Sequence, residues 1–211
     1  LVRKQPTLRH TYGLRRSSIL AAMINALILL VAVGGIAWES ILRFGQPEAV
    51  ASGTVILVAS VGIIINGFTA WLFMSGRDQD LNIRGAYLHM MADAAISLGV
   101  VVAAVAMSIT GWLWLDPLVS LAIGVVIGVT TWGLLRESLN LALDAVPTSI
   151  QVAEVEAYLA SLPGIKAVHD LHIWAMSTTE VALTVHLVKP DAVIDDAFLA
   201  RIANELLERF N

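Results

Sequence analysis

The chain has 211 residues, of which 57% are hydrophobic and 14% charged, with a net charge of −4 and a mean hydropathy of +0.77. Soluble domains carry about a quarter charged residues, so this composition excludes an ordinary soluble core, and no basic tract points to nucleic acid. Cysteine is absent, which excludes disulfides and thiolate metal sites; any metal must be held by histidine and carboxylate.

The lead, "LVRKQPTLRHTYGLRRSS", is basic and contains no acid. Uncharged runs then separate Arg16 from Glu39, Glu48 from Arg77, Asp93 from Asp116 and Asp116 from Arg136. Each is close to or above the roughly 18–20 apolar residues that cross a hydrocarbon core. Four membrane-spanning helices are expected, at about 19–44, 50–75, 83–109 and 116–143. The first stops at "GQP", the second at Gly76 and the third at "ITG" (109–111). The fourth opens at "DP", with Asp116 near its N-cap and Pro117 in its first turn. Arg3, Lys4, Arg9, Arg15 and Arg16 in the lead, and Arg77 and Arg84 in the second connection, outweigh the single Arg43 of the first connection and the uncharged third. The positive-inside bias therefore places both ends of the chain in the cytoplasm.

After Pro147 the pattern changes. Residues 149–164 read as an amphipathic helix with Val152, Val155 and Leu159 on its apolar face, ended by Pro163-Gly164. "KAVHDLHIWAM" and "EVALTVHLV" alternate like strands around an "STT" turn, and "DDAFLARIANELLERF" returns to helix with Phe198, Ile202 and Leu206 on one face. Helix–strand–strand–helix is most of a ferredoxin-like unit and lacks its closing strand. The reading is thus a membrane domain over 1–146 and a small α+β domain over 147–211, with the last module incomplete.

Two ionisable groups, His89 and Asp93, stand at the start of the third apolar run and lie one turn apart on one helix face. An Asp at a helix centre costs about 2.5–3.5 kcal/mol on the insertion scale. The seven large aliphatics that follow it (Ile96 to Ile109) return roughly 2–4 kcal/mol together. Asp93 alone cancels them, so it must face a cavity or a partner. The alternative is that both groups are hydrated at the helix end. An imidazole and a carboxylate on one face supply half of a tetrahedral Zn²⁺ site. Asn25 and Asn66 read as buried polar residues on other helices; neutral amides are poor zinc ligands and more often hydrogen-bond between helices.

"LNIRGAYLHMMADAAISLGVVVAA", "TGWLWLDPLVSLAIG", "LLRESLNLALDAVP" and "VHDLHIWAMS", in that order and spacing, resemble the cation diffusion facilitator family, nearest its zinc–cobalt–cadmium efflux members. The resemblance covers nearly the whole chain. It implies a six-helix membrane bundle with a cytoplasmic ferredoxin-like domain, a homodimer, and export of divalent metal against protons. It also implies that the four helices here are the third to sixth and that His89 and Asp93 are the fifth-helix half of the transport site. The other half is then expected upstream of Leu1, on the second helix. Departures occur at the start of the first helix, where the family's "G-Y/W-x-R-A-E-I-L" reads "GLRRSSIL". Ser18 replaces the acid, and Arg15 stands where some members carry a loop zinc ligand. His10 is read as a solvated loop histidine.

The α+β domain holds His169, His172 and His186. A turn centred near Thr178 brings His169 and His186 to one end of the hairpin, yet strict alternation groups His172 with His186 and leaves His169 on the other face. A bulge, or a ladder that begins after His169, would reconcile the two; hydrated strand-end histidines are the alternative. The resemblance implies His169 and His186 as ligands of a cytoplasmic metal site, with a further ligand near Asp196 and others on the closing strand, and His172 as structural.

The expected function is therefore a secondary transporter exporting Zn²⁺, with Cd²⁺ or Co²⁺ as related cargoes, in exchange for protons. It would work as a homodimer in a bilayer, expected to be a bacterial inner membrane, with Zn²⁺ also as a regulatory ion. A truncated, non-transporting metal-binding or dimerisation module is the alternative. A haem electron-transfer subunit would need a second membrane histidine and finds none. No nucleophile–base set or H-E-x-x-H points to an enzyme.

Overall fold

A computed structural model describes residues 7–45, 51–75, 81–190 and 196–210, with only the backbone described at 81, 82, 84 and 85. Arg3, Lys4, Gly76, Arg77 and the Arg84 side chain, used above for helix ends and orientation, lie outside the described residues. Helix α1 spans Ser17–Gly45, α2 Ser52–Phe73, α3 Leu81–Thr110 and α4 Leu115–Ala142. Then follow α5 (Val152–Ala160), β1 (Ala167–Ala175), β2 (Val181–Val188) and α6 (Asp196–Phe210). Four helices are long and apolar enough to cross a membrane, and each falls within about two residues of its expected bounds.

Helix is the form these segments must take in hydrocarbon, where every backbone N–H and C=O has to find its partner inside the segment. The few hydroxyls follow the same rule. Ser40 donates to the Ile36 carbonyl (2.8 Å), Thr69 to Ile65 (2.8 Å) and Thr110 to Ala106 (2.7 Å). Large apolar side chains such as Val31, Ile64 and Val129 stand 69–77% exposed, which is the surface that lipid covers. Gly111 closes α3 with φ +70° and a 2.9 Å bond from its N–H to the Met107 carbonyl, a left-handed cap that side chains with a Cβ disfavour. Beyond it the rings of Trp112 and Trp114 stack at 6.0 Å, the residue type that gathers at the membrane–water interface.

The chain divides into two compact units. One comprises Leu30–Thr130; the other combines Leu1–Leu29 with Thr131–Asn211. Within the first, Arg43 donates to Glu39 (2.6 Å) on its own helix and to Asp116 (3.2 Å) on α4. Asp116 therefore lies in the first turn of α4, near the N-cap as expected, and serves an ion pair there.

Within the second unit, α4 ends in a left-handed residue, Asp144 (φ 62°). The Ala145 N–H reaches back to Asn140 (3.0 Å), and the Asp144 N–H points to Leu141 (3.4 Å). These are the paired bonds of a Schellman stop, with Asp in the place usually held by glycine. The Asp144 carboxylate accepts from Arg16 at the start of α1. Arg15 pairs with Glu180 (2.8 Å), and the Thr178 N–H donates to Ser18 Oγ (3.2 Å). Ser18, placed where the family pattern carries an acid, thus receives the turn of the β hairpin.

The core of the α+β portion is built from Val155, Tyr158, Leu159 and Leu162 on one side, Ile173 on the sheet, and Phe198 and Ile202 on α6. Val152, expected on the apolar face of α5, is 39% exposed; the buried stripe runs instead through Val155, Tyr158 and Leu159. Leu183, Val185 and Leu187 of β2 and Ile202, Leu206 and Phe210 of α6 line an apolar cavity of about 420 Å³. Tyr158 is buried and donates to Glu205 (2.7 Å), with its ring 6.1 Å from Phe210.

Burial, and then the bond to Glu205, pushes the Tyr158 hydroxyl up to about 12. A group whose folded pKa is raised contributes stability that is complete below the unfolded value, about 10, and lost as pH rises through the folded one. Unfolding of this portion, followed by far-ultraviolet circular dichroism, should become easier between about pH 10 and 12. Tyr158→Phe should flatten that slope.

Candidate metal centres

Helix α3 carries His89 and Asp93 four residues apart, and their Nε2 and Oδ2 atoms lie 3.5 Å from each other. Asp93 is the more enclosed, with 38% of its side chain accessible against 69% for His89. A tetrahedral ion with bonds of about 2.0–2.1 Å has ligand atoms about 3.3 Å apart. The pair therefore already stands close to the edge of such a tetrahedron and leaves two corners for other ligands.

The second centre lies on the hairpin. β1 and β2 pair antiparallel with His169 opposite His186 and His172 opposite Thr184, so the ladder slips by one residue between them. Asp170 and Leu171 together face Val185, and Asp170 takes a left-handed φ of 52°. This β-bulge settles the conflict between the two readings of the histidines. Val168 before the bulge and Leu171 and Ile173 after it all pack on the core, which places His169, His172 and His186 on the opposite face. The rings of His169 and His186 meet edge-on at 5.3 Å.

The bulge also delivers a third group that sequence reasoning missed. Asp170 Oδ2 lies 3.3 Å from His169 Nδ1 and 3.1 Å from His186 Nδ1, and the three ligand atoms lie within 4.8 Å of one another. Both measured separations match the tetrahedral edge, and two imidazoles with a carboxylate suit zinc. The hydrogen bond from His169, reinforced by the His186 ring, holds the Asp170 carboxyl below its ordinary range, so it is ready as an anionic ligand. The signal was present in the sequence: the apolar spacing Val168, Leu171, Ile173 breaks strict alternation by one residue.

Among the described residues this is the one group of three such side chains that close together. Asp196 opens α6, where its charge favours the helix N-terminus, and it is not part of the group. His172 is exposed and also outside it. His10 is exposed, its backbone N–H bonded to Thr7 Oγ1 (3.1 Å). Asn25, expected to be buried, is exposed on α1, while Asn66 is half-buried on α2.

Residues 1–141 match the family profile described as the cation efflux transmembrane domain, and residues 147–211 match that of the cation efflux protein cytoplasmic domain. The chain is 40% identical over 185 residues to the cation efflux system protein CzcD of Alcaligenes sp. (strain CT14), covering 88% of this chain and 58% of that protein. It is 33% identical over 211 residues to the cadmium, cobalt and zinc/H(+)-K(+) antiporter of Bacillus subtilis, covering 99% of this chain and 66% of that one. It is also 33% identical over 210 residues to the zinc transporter ZitB of Escherichia coli, with 99% and 67% covered. The chain thus spans about three fifths to two thirds of the length of these relatives. With both profiles matched in register along it, this chain belongs to the cation efflux family.

Proposed function

We propose that the full-length protein exports Zn²⁺ from the cytoplasm in exchange for protons, with Cd²⁺ and Co²⁺ as related cargoes, and that it works as a homodimer. The reading is supported most by the His89–Asp93 pair, a nitrogen and an oxygen donor 3.5 Å apart on a helix apolar enough to cross the bilayer. The relatives named as zinc transporter and as cadmium, cobalt and zinc antiporter point the same way. Zinc takes neutral imidazole and ionised carboxylate, so ion and proton compete for the same lone pairs. That competition is what an exchange mechanism needs: release of metal is helped by protonation of His89 and Asp93, and reloading expels the protons.

The division into a membrane domain over 1–146 and a cytoplasmic domain over 147–211 belongs to the same proposal, as does the inner-membrane setting with both ends inside. His169, Asp170 and His186 form a cytoplasmic zinc site, in which the resident ion would order the hairpin and favour dimerisation. Asp196 is left out of this ligand set because it does not join the group.

Three outcomes are expected. In proteoliposomes of the full-length protein, with a zinc dye on one side and a pH gradient, His89→Ala and Asp93→Ala should each lower flux by more than about 100-fold. That exceeds the cost of losing an outer partner alone, and Asp93→Ala should be the harsher because it also removes the anion that offsets Zn²⁺. Full flux through Asp93→Ala would place the transport site elsewhere. By calorimetry, Asp170→Ala should weaken the cytoplasmic zinc-binding step as much as His186→Ala does, whereas Asp196→Ala should leave it unchanged. Finally, because the chain has no cysteine, single substitutions report topology directly. Trp112→Cys should react with an impermeant maleimide added outside intact cells, and Thr179→Cys only after permeabilisation.

A further inference from the structure

Asn66 is a half-buried polar residue of the membrane helices that the function above leaves without a task. Ser40, Thr69, Thr110 and Thr130 satisfy themselves on a carbonyl one turn back. An asparagine side chain in mid-helix has no such routine solution, and among the described residues no hydrogen bond engages the Asn66 carboxamide. A bare amide in hydrocarbon is costly enough that a partner is expected for it.

Register supplies the partner. α2 and α3 pack against each other, and the seven residues between Phe73 and Leu81 are too few to let them run parallel. On α2 the less exposed positions recur at Val55, Ala59, Gly62, Asn66, Ala70 and Phe73; on α3 they recur at Ala86, Met90, Asp93, Ser97, Val100 and Ala104. Ala70 and Ala104 are 1% and 0% exposed. The contact that fixes the register is at Gly62, where a Cβ would meet Ser97 Oγ at 3.2 Å, so the Ser97 side chain seats against the Gly62 backbone. One turn along each helix from that contact, Gly62 becomes Asn66 and Ser97 becomes Asp93. Both lie on the facing sides at the same level.

We propose that Asn66 is the positioning residue of the transport site: its carboxamide N–H donates to Asp93 Oδ1 and so holds Oδ2, the oxygen nearest His89, toward the cation. A carboxylate has lone pairs on both oxygens, so it accepts this bond and ligates at once. Fixing the ligand from the neighbouring helix also ties the site to the α2–α3 packing, and the Gly62–Ser97 contact sets how closely the amide approaches. The proposal rests on the transport-site reading of His89 and Asp93.

The test uses full-length protein in proteoliposomes, with zinc affinity measured by calorimetry beside flux. Asn66→Leu keeps the volume and removes the donor. Its zinc Kd and KM should rise about 10-fold or more, as for the loss of an outer-shell partner, while kcat changes by no more than about 2-fold. Asn66→Gln, which keeps an amide donor, should recover most of the affinity; a packing role would not be rescued by a longer side chain. If Asn66→Leu lowers the thermal midpoint, Asn66→Ala is judged by the same criterion at matched folding. Wild-type zinc Kd and KM in the Asn66 variants, with binding lost in Asp93→Ala, would overturn this role and leave the transport site standing. Unchanged binding in Asp93→Ala would overturn the site itself.

Discussion

A hydrocarbon slab offers no water to a polar group, and that constraint shapes nearly every choice along the first 142 residues. Backbone amides close on themselves as four long helices. Hydroxyls fold back onto their own carbonyls, and charges retreat to the helix ends, where Arg43 can gather Glu39 and Asp116. Under such a regime a histidine and an aspartate on one helix face are a deliberate expense. Their side chains stand 3.5 Å apart, with lone pairs left over for a further partner.

The two candidate centres gather similar donor groups with different backbones. On α3 the pairing comes from helical pitch, so ligand spacing is a property of any i, i+4 pair and specificity must come from what surrounds it. On the hairpin the ligands come from a slipped ladder, and the slip itself brings Asp170 between the imidazoles. The first pair lies on a helix packed against its neighbour α2. The second lies on an exposed sheet face, open to the solvent ion pool. Its hairpin is also fastened at the turn, through Glu180 to Arg15 and through Thr178 to Ser18, to the residues that open α1.

Much of this was legible in the sequence because the underlying signals are strong and local. Uncharged runs located the four helices to within about two residues, and the alternation around "STT" located both strands. His89 and Asp93 were visible because their cost is so far out of keeping with their neighbours. What remained hidden depended on tertiary register. Alternation assigned His169 to the wrong face until the extra residue at Asp170 was counted, and Asp170 itself was not singled out. The resemblance implied a ligand near Asp196, whose place is the start of α6. Asn25 and Asn66 were equivalent as letters; only helix packing separates the exposed one from the one that faces α3.

The bulge at Asp170 has one more implication. Parity along β1 is not continuous: residues before the slip and after it count from different origins, although they share one core. A single-residue deletion at 170 or 171 would restore a regular ladder and leave the Ile173 side of the strand in phase. It would keep His169 opposite His186 on the open face and Val168 on the core, and either deletion would take the Asp170 carboxylate away from the two imidazoles. The extra residue is thus what adds a carboxylate to a pair of facing histidines, and the strand pairing survives without it.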